Sequence, residues 1–360
     1  MDKVVFGLVG GGWRAEFFLR IAKALPEHFS VGAMYVRNPD KADDLSRAWG
    51  VTVYTDLEQF IVAGGYSFAV VSLSREVAPS FIGRLAAAQI PVLTETPPAS
   101  DLEGLISLWE TVGGAAAKIQ VAEQYLFQPM HAARIALARS GRLGEISQAQ
   151  VSAAHGYHGI SLMRQLLGID FQNVTISGRE FLSPIINGSQ RSGPPAVEET
   201  VEADQKIAFF DFGNKLGLFD FTGEQYFSWI RSNRILVRGD RGEIVNHDVA
   251  WLESFDNPVY TNLRRMDAGH GGNLEGFYLK GIVADGEWLY RNRFIPARLT
   301  DDEIAIAESL ARMADYVRGG PSFYSLAEGS QDHYLSLLLD QAVATGTAVT
   351  SETQPWALQG

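Results

Sequence analysis

Residues 4–15 read VVFGLVGGGWRA, and this segment does most to specify the fold. Its apolar run leads directly into three glycines and an amphipathic stretch, which predicts a strand, a tight turn and a helix. Gly10 permits the turn, Gly12 lets the backbone approach a pyrophosphate, and the small Ala15 lets helix and strand pack closely. Amides at the helix start supply donors and partial positive charge for phosphates. The residues expected to bind a dinucleotide here are Gly10, Gly12, Trp13, Arg14 and Ala15.

A glycine-rich turn that binds nothing is the alternative interpretation. The pattern of the following residues favours the dinucleotide, because residues 4–122 alternate short apolar runs with amphipathic stretches. This alternation predicts βαβ units around a parallel sheet, and the continuous apolar runs indicate a sheet covered on both faces. We therefore predict a dinucleotide-binding domain over residues 1–122. Its expected strands are 4–9, 31–36, 68–72, 91–94 and 118–122, and its expected helices are 13–25, 39–49, 57–63, 77–88 and 102–112.

Residues 123–360 have a different pattern and are predicted to form a second, α+β domain with a mostly antiparallel sheet. Residues 187–195 have the composition of a surface loop. Thr300 and Glu303 have the spacing of a capping box, which predicts the start of a helix. The other expected helices are 129–140, 158–167 and 327–345, and the expected strands are 147–153, 173–177, 205–212, 215–221 and 234–237.

The composition excludes several classes of protein. The chain contains no cysteine, which excludes disulfides, thiolate nucleophiles and cysteine-ligated zinc. A net charge of −12 without a basic stripe argues against nucleic-acid binding. No apolar run approaches the roughly 20 residues of a membrane span, and the N-terminus lacks the pattern of a signal peptide. We therefore expect a cytoplasmic protein that binds neither nucleic acid nor membranes.

The end of the second predicted strand bears on the choice of cofactor. NAD-binding domains normally place an Asp or Glu there to accept the ribose 2′-hydroxyl. Val36 occupies that position in this chain, and Arg37 follows it. An arginine can pair with the 2′-phosphate of NADP through charge-assisted hydrogen bonds. The sequence therefore favours NADP over NAD, unless Arg37 stacks on the adenine or faces solvent.

Several motifs occur in an order and spacing that resemble one family. They are GGGWRA at 10–15, RNPDKA at 37–42, YTDL at 54–57, PVLTETP at 91–97, SGRLGEI at 140–146, the segment His158–Gly168, and DEIAIA at 302–307. On these motifs the chain is identified as a member of the Gfo/Idh/MocA oxidoreductases. The resemblance implies an N-terminal Rossmann domain and a C-terminal domain with a large open sheet. It also implies hydride transfer between a nicotinamide and sugars, polyols or related carbonyl compounds, in a homodimer or homotetramer that pairs through the open sheet.

The same resemblance assigns site residues, and the chain departs from the family pattern at two of them. Members usually use the lysine of a Glu-Lys-Pro motif after the fifth strand, and an Asp and a His four residues apart on a second-domain helix. Thr96 stands at the lysine position and Ala154 at the aspartate position, whereas His158 remains. Ser161 stands where another acid frequently occurs. The residues implied to contact the cofactor, besides the glycine turn, are Arg37, Asn38, Ser72, Glu95, Thr96 and Gln124.

The group that exchanges the substrate proton is expected among three neighbouring side chains. His158 is the first choice, because an unperturbed imidazole pKa of ~6.5 suits proton exchange at neutral pH. His155 and Tyr157 lie within reach of the same space. The alternative for His158 is a helix-start histidine bonded to backbone. No metal site is expected, because no further ligands stand nearby at characteristic spacing. His270, in the glycine-containing loop 267–273, is a further candidate that the sequence does not decide.

Three functions are compatible with these motifs. The expected one is an NADP- or NAD-dependent oxidoreductase acting on a sugar-like or polyol substrate. The second is a dinucleotide-binding sensor or regulatory protein of the same family, which the departures at Thr96 and Ala154 favour. The third keeps a tightly held cofactor for elimination or hydrolysis and consumes no net NAD(P)H.

Overall fold

The computed structural model describes residues 3–269 and 276–358. Its first part is a parallel sheet of six strands with helices between them, as the alternating pattern predicts. The strands are β1 (Val4–Val9), β2 (Phe29–Tyr35), β3 (Val53–Tyr54), β4 (Ala69–Val71), β5 (Val92–Thr94) and β6 (Ile119–Val121). The helices are α1 (Trp13–Ala24), α2 (Pro39–Trp49), α3 (Leu57–Ala63), α4 (Ala78–Ala87) and α5 (Leu102–Thr111).

The strand order of this sheet shows where a ligand-binding crevice opens. The order is β3-β2-β1-β4-β5-β6, and all neighbouring strands are parallel. The chain winds in one direction from β1 to β3 and in the other from β4 to β6. A crevice therefore opens at the carboxyl ends of β1 and β4, where open α/β sheets bind their ligands. The predicted Rossmann fold is confirmed, and each predicted strand and helix is present within a few residues.

The second part is built on a larger sheet of nine strands. They are β7 (Ile146–Ser152), β8 (Thr175–Ile186), β9 (Thr200–Asp211), β10 (Leu216–Thr222), β11 (Arg234–Gly239), β12 (Gly242–Val245), β13 (Asp248–Ser254), β14 (Asn257–Asn262) and β18 (Val349–Thr350). Their order is β14-β13-β12-β11-β7-β10-β9-β8-β18. β7 and β10 are parallel, and every other neighbouring pair is antiparallel. The predicted mostly antiparallel sheet is therefore confirmed.

A smaller sheet joins β15 (Arg264–Ala268), β16 (Tyr278–Ala284) and β17 (Glu287–Arg291). The sequence did not predict these strands, nor β12 to β14; apart from β16, their residues are mostly exposed or half-buried. β8 is also longer than the predicted strand at 173–177 and runs on to Ile186. The segment 187–195 connects β8 to β9, as predicted for a loop.

Four helices complete the second part: α6 (Pro129–Arg139), α7 (Gly156–Leu167), α8 (Asp301–Val317) and α9 (Leu326–Thr345). α7 starts two residues before its predicted first residue, so His158 lies in its first turn. α8 begins at the predicted capping box of Thr300 and Glu303, and it packs against α1 and β1. The late part of the chain thus returns to the first sheet, and the boundary at residue 122 stays a prediction. In the described ranges, no helix has the length and apolarity to cross a membrane.

Candidate active site

The glycine turn after β1 has the form of a phosphate cradle. Gly10 has a φ of +117°, and a Cβ there would lie 2.1 Å from the carbonyl oxygen of Ser72, so a side chain would be both strained and blocked. Gly12 is the N-cap residue of α1, and as a glycine it leaves the first amides of the helix without a side-chain partner. A Cβ at Gly12 would meet no atom within 4 Å, so open space lies beside the start of the helix. The amides of this helix start and that open space fit a pyrophosphate.

The residues expected at the adenosine end lie at the end of β2. Arg37 is exposed there. Asn38 caps α2, and its Oδ1 accepts a hydrogen bond from the amide of Lys41 at 3.1 Å. Ser72, just after β4, is buried, and its amide donates to the carbonyl of Val9 at 2.8 Å. The roles of Arg37, Asn38 and Ser72 in cofactor binding stay predictions.

Arg14 connects the glycine turn to the ends of two neighbouring strands. Its Nε donates to Oε1 of Glu95, which follows β5, over 2.8 Å. Its Nη2 donates to Oε1 of Gln124, which follows β6. Both acceptors are buried, and Thr96, beside Glu95, is half-buried. The structure thus brings together four predicted site residues at the crevice edge.

The centre of the site is a contact between His158 and Glu123. The Nδ1 atom of His158 lies 2.6 Å from Oε2 of Glu123, and both side chains are buried. The second carboxyl oxygen, Oε1, accepts the amide of Tyr125 at 3.0 Å. Burial raises the pKa of Glu123 to about 8 and lowers the pKa of His158 to about 3, because neither charged form is hydrated there. At neutral pH the pair is therefore a neutral carboxyl and a neutral imidazole that share one hydrogen bond.

Glu123 is the residue that sequence reasoning missed. The family pattern directs attention to position 154, where Ala154 is buried and has no carboxyl group. The carboxyl group that contacts His158 comes instead from Glu123, directly after Ala122 at the end of β6. An acidic side chain at the carboxyl end of a buried parallel strand is the signal that could have identified it.

Aromatic side chains surround His158 and include both other predicted proton-transfer candidates. The ring centroids of Tyr157 and Tyr125 lie 4.5 and 4.6 Å from that of His158. His155 lies 5.0 Å away and its Nδ1 is 2.6 Å from the hydroxyl oxygen of Tyr226. Burial first, and then the charge of Glu123, raise the pKa of Tyr157 to about 12, opposed by a hydrogen bond with Thr96. Tyr157 therefore stays protonated at neutral pH and can donate a hydrogen bond to a ligand. The catalytic roles of His155, Tyr157 and His158 stay predictions.

Two further groups reach the site from distant segments. Asp302, in the first turn of α8, accepts a hydrogen bond from Nε2 of Gln128 at 2.7 Å. Arg191, in the loop between β8 and β9, lies over the exposed Trp13 ring with its Cζ atom 4.0 Å from the centroid. The loop from the second sheet therefore reaches the first residue of α1. His270 lies outside the described residues, and in the described ranges no group of three or more His, Asp or Glu side chains could hold a metal ion.

The fold and the crevice define a class: a two-part α/β protein with a Rossmann fold, a glycine turn at the start of its first helix and a buried contact between a histidine and a glutamate. Residues 4–123 match the model of the oxidoreductase family with an NAD-binding Rossmann fold, Gfo/Idh/MocA. Over these residues the match bears out the predicted resemblance to the Gfo/Idh/MocA oxidoreductases.

Solved structures with the same fold cover almost the whole chain. Levoglucosan dehydrogenase in complex with NADH and levoglucosan is 15% identical, with a TM-score of 0.69 over 98% of this chain and 100% of that one. An oxidoreductase from Agrobacterium radiobacter in complex with NAD+, L-tartaric acid and magnesium is 16% identical, with a TM-score of 0.66 over 96% and 98%. A putative myo-inositol dehydrogenase from Sinorhizobium meliloti 1021 is 16% identical, with a TM-score of 0.64 over 96% and 99%. Comparison with curated proteins gives no match.

Proposed function

We propose that this protein is an NAD(P)-dependent dehydrogenase or reductase that acts on the CH–OH group of a sugar, a polyol or a related carbonyl compound. The observation that supports this proposal most is the buried contact between His158 and Glu123, 2.6 Å long, at the crevice that begins with the phosphate cradle. Solved structures with this fold contain NAD+ or NADH together with a sugar or a hydroxy acid. When bound, the nicotinamide supplies the hydride acceptor for oxidation and the hydride donor for reduction.

His158 and Glu123 handle the proton of the reacting hydroxyl. In the basic form of the pair, Glu123 is ionised and accepts the Nδ1 hydrogen of His158, which leaves the lone pair on Nε2 free. Nε2 takes the hydroxyl proton as the carbon–oxygen double bond forms, and Nδ1 passes its own hydrogen to Glu123. The pair ends with one added proton, held by the carboxyl group. Reduction of a carbonyl uses the same steps in reverse.

The rim of the site suits a polyhydroxylated substrate. His155, Tyr157 and Tyr226 offer ring nitrogens and hydroxyls close to His158. Such groups can both donate and accept hydrogen bonds, as sugar hydroxyls require. The flat faces of the aromatic rings also suit the apolar C–H faces of a sugar ring.

A turnover screen tests this proposal. NAD+ and NADP+ would each be mixed with a panel of sugars, polyols and hydroxy acids, and reduction would be followed at the absorbance band of the reduced nicotinamide. We expect turnover that His158→Gln lowers by about 10²–10⁴-fold, the usual contribution of a general acid–base group. Dinucleotide binding, measured by calorimetry, should not change in that variant. Dinucleotide binding without turnover on the whole panel would contradict the proposal and favour the sensor; turnover that consumes no net NAD(P)H would favour elimination or hydrolysis.

We further propose that the cofactor is NADP in preference to NAD. Arg37 is exposed at the end of β2, and Val36 leaves that position without a carboxylate to repel a 2′-phosphate. The test compares the Kd values of NADPH and NADH in the wild type and in Arg37→Asp. The preference for NADPH should be lost or reversed in the variant. Equal affinities in the wild type would contradict this preference and leave Arg37 as a surface residue.

Pairing with a second copy through the nine-stranded sheet is the proposed assembly. Large apolar side chains are exposed on β8 and β9, and two of them, Phe181 and Phe209, lie on the same face of the sheet, with Phe209 at 50%. Large apolar side chains exposed on an open sheet face are unfavourable in water and favour an interface. Light scattering after size-exclusion chromatography should give the mass of a dimer or tetramer. The mass of a monomer at micromolar concentration would contradict this assembly.

A further inference from the structure

We propose that Arg14 is a positioning residue that sets the proton affinity of the Glu123–His158 pair and supplies the positive charge that Thr96 cannot. This inference rests on the proposed function for its catalytic meaning, but the geometry and the proton affinity can be tested without turnover. Arg14 was expected only as part of the dinucleotide turn. Its side chain instead points along the carboxyl edge of the sheet, toward the residues that follow β5 and β6.

The two anchors of Arg14 fix its guanidinium in one orientation. Nε donates to Glu95 at 2.8 Å, and Nη2 donates to Gln124. These acceptors follow two adjacent strands, so the planar group spans the gap between them. A lysine ammonium is a compact point charge on a flexible stem and lacks this fork of donors. Arginine is therefore suited to hold a charge at this place, whereas a lysine from α1 would retain the charge with a less defined position.

The position of the Arg14 charge matters because several acids, including Glu95, lie near the Glu123–His158 pair and act on the pKa of His158 in the opposite direction. Burial has the largest effect on the pKa of His158 and lowers it, and the positive charge of Arg14 lowers it further. The carboxylates of Glu95 and Asp302 oppose both effects and raise that pKa. Burial raises the pKa of Glu123, and Arg14 acts against this larger effect by lowering it. With a side chain only 20% exposed, Arg14 acts through a medium that screens charge less than bulk water does.

All the elements around His158 contribute groups that can titrate or hold charge. The neighbours at the start of α7 are its N-cap residue His155 and Tyr157, and the remaining groups lie on other elements. These are Arg14 on α1, Glu95 after β5, Glu123 and Tyr125 after β6, Tyr226 after β10, and Asp302 on α8. Of these groups Arg14 is the cation, and its effect is to favour the proton-free form of the pair. Substrate oxidation requires that form, so Arg14 would extend oxidation to lower pH.

The experiment is an NMR titration of the ligand-free full-length protein with ring-¹⁵N-labelled histidine. Arg14→Gln removes the charge and keeps a polar group, whereas Arg14→Lys keeps the charge. Arg20→Gln is the matched control, because Arg20 lies on the same helix and stacks on Phe17 at 4.2 Å. The folded state of each variant is verified by its thermal unfolding and amide spectrum.

We expect the apparent pKa of the pair, observed at His158, to rise by about one unit in Arg14→Gln, which is the usual size of a nearby charge effect. It should stay within a few tenths of a unit in Arg14→Lys and in Arg20→Gln. The acid limb of kcat/KM for oxidation should move with it. An unchanged His158 titration in Arg14→Gln, or a rise equally large in Arg14→Lys, would overturn the proposal. If no substrate turns over, the proposed function fails, and the titration still decides the role of Arg14.

Discussion

Replacement of Glu123 by Gln separates the chemistry of the site from the stability of the fold. The amide is close to the carboxyl in size, and it can keep a hydrogen bond to His158 across the present 2.6 Å contact. It cannot take up the proton that Nδ1 releases when Nε2 accepts one. We therefore expect kcat/KM for oxidation to fall by about 10²–10⁴-fold.

The same substitution should stabilise the protein at neutral pH. Burial holds the pKa of Glu123 at about 8 in the folded protein, against an ordinary value of 4.5. When the pKa of a carboxyl group is higher in the folded than in the unfolded state, the protein has its full free energy of unfolding below the unfolded pKa. The free energy of unfolding then falls as the pH rises from the unfolded pKa toward the folded pKa. Between pH 4.5 and pH 7 the loss grows by about 1.4 kcal/mol per unit, so it reaches about 3 kcal/mol at pH 7. The amide introduced by Glu123→Gln is neutral in both the folded and the unfolded state, so the variant would avoid this loss.

Urea unfolding at a series of pH values from about 4.5 to 8 measures this difference in the free energy of unfolding. Glu110→Gln is the matched control, because Glu110 is exposed on α5 and should change stability little at any pH. The difference between Glu123→Gln and the wild type should be small at the acid end of the series and should increase steadily with pH. A variant that is less stable than the wild type throughout, or a difference that does not change with pH, would refute the inferred burial of a protonated carboxyl group.

Other predictions concern the cradle and the second domain. Gly12→Ala should weaken dinucleotide binding by about tenfold without loss of stability, because its Cβ would enter empty space and its φ of −76° suits alanine. Gly10→Ala should destabilise the fold itself, because its Cβ would lie 2.1 Å from a carbonyl oxygen; calorimetric binding and thermal melts distinguish the two, and equal melting temperatures would contradict this assignment. Asp332→Asn should cost about 3–5 kcal/mol of stability, because it leaves the Arg164 guanidinium, 1% exposed and 2.6 Å from Asp332, buried without its ion-pair partner. Denaturant unfolding that shows a loss below about 1 kcal/mol would contradict a stabilising ion pair there.

The fold of the first part could be predicted from the sequence because its signals are local. A continuous apolar run such as Val4–Val9, the glycine turn after it and the capped helices each specify their own conformation. β3 was missed because it has two half-buried residues, too few for a periodic pattern. In the second part, β12 to β17 are strands of four to seven residues that pair with their neighbours in the chain, and no clear local pattern marks them. Their polar and apolar residues follow contacts that form only in the sheet.

The candidate site was predictable only in part, for a related reason. His158 could be named because it keeps its place in a motif, and in the structure Glu95, Thr96 and Gln124 follow neighbouring strands at the same edge of the sheet. The partnership with Glu123 joins positions 35 residues apart in the sequence, and the bridge from Arg14 joins positions 81 and 110 apart. Side-chain contacts across such separations have no periodic signal in one sequence. Because the expected lysine and aspartate are missing, the sequence alone indicated an incomplete set of charged site residues. The fold supplies others, Glu123 and Arg14, from distant positions in the chain.

Proton transfer by the Glu123–His158 pair can be tested through the pH dependence of kcat/KM for alcohol oxidation, with the best substrate of the panel. We predict one ionisation near pH 8, with the rate rising to a plateau above it as the pair loses its proton. Glu123→Gln should lose this ionisation along with most of its activity. A wild-type profile without an ionisation within about one unit of pH 8, or the same profile in Glu123→Gln, would contradict the assignment of proton transfer to this pair.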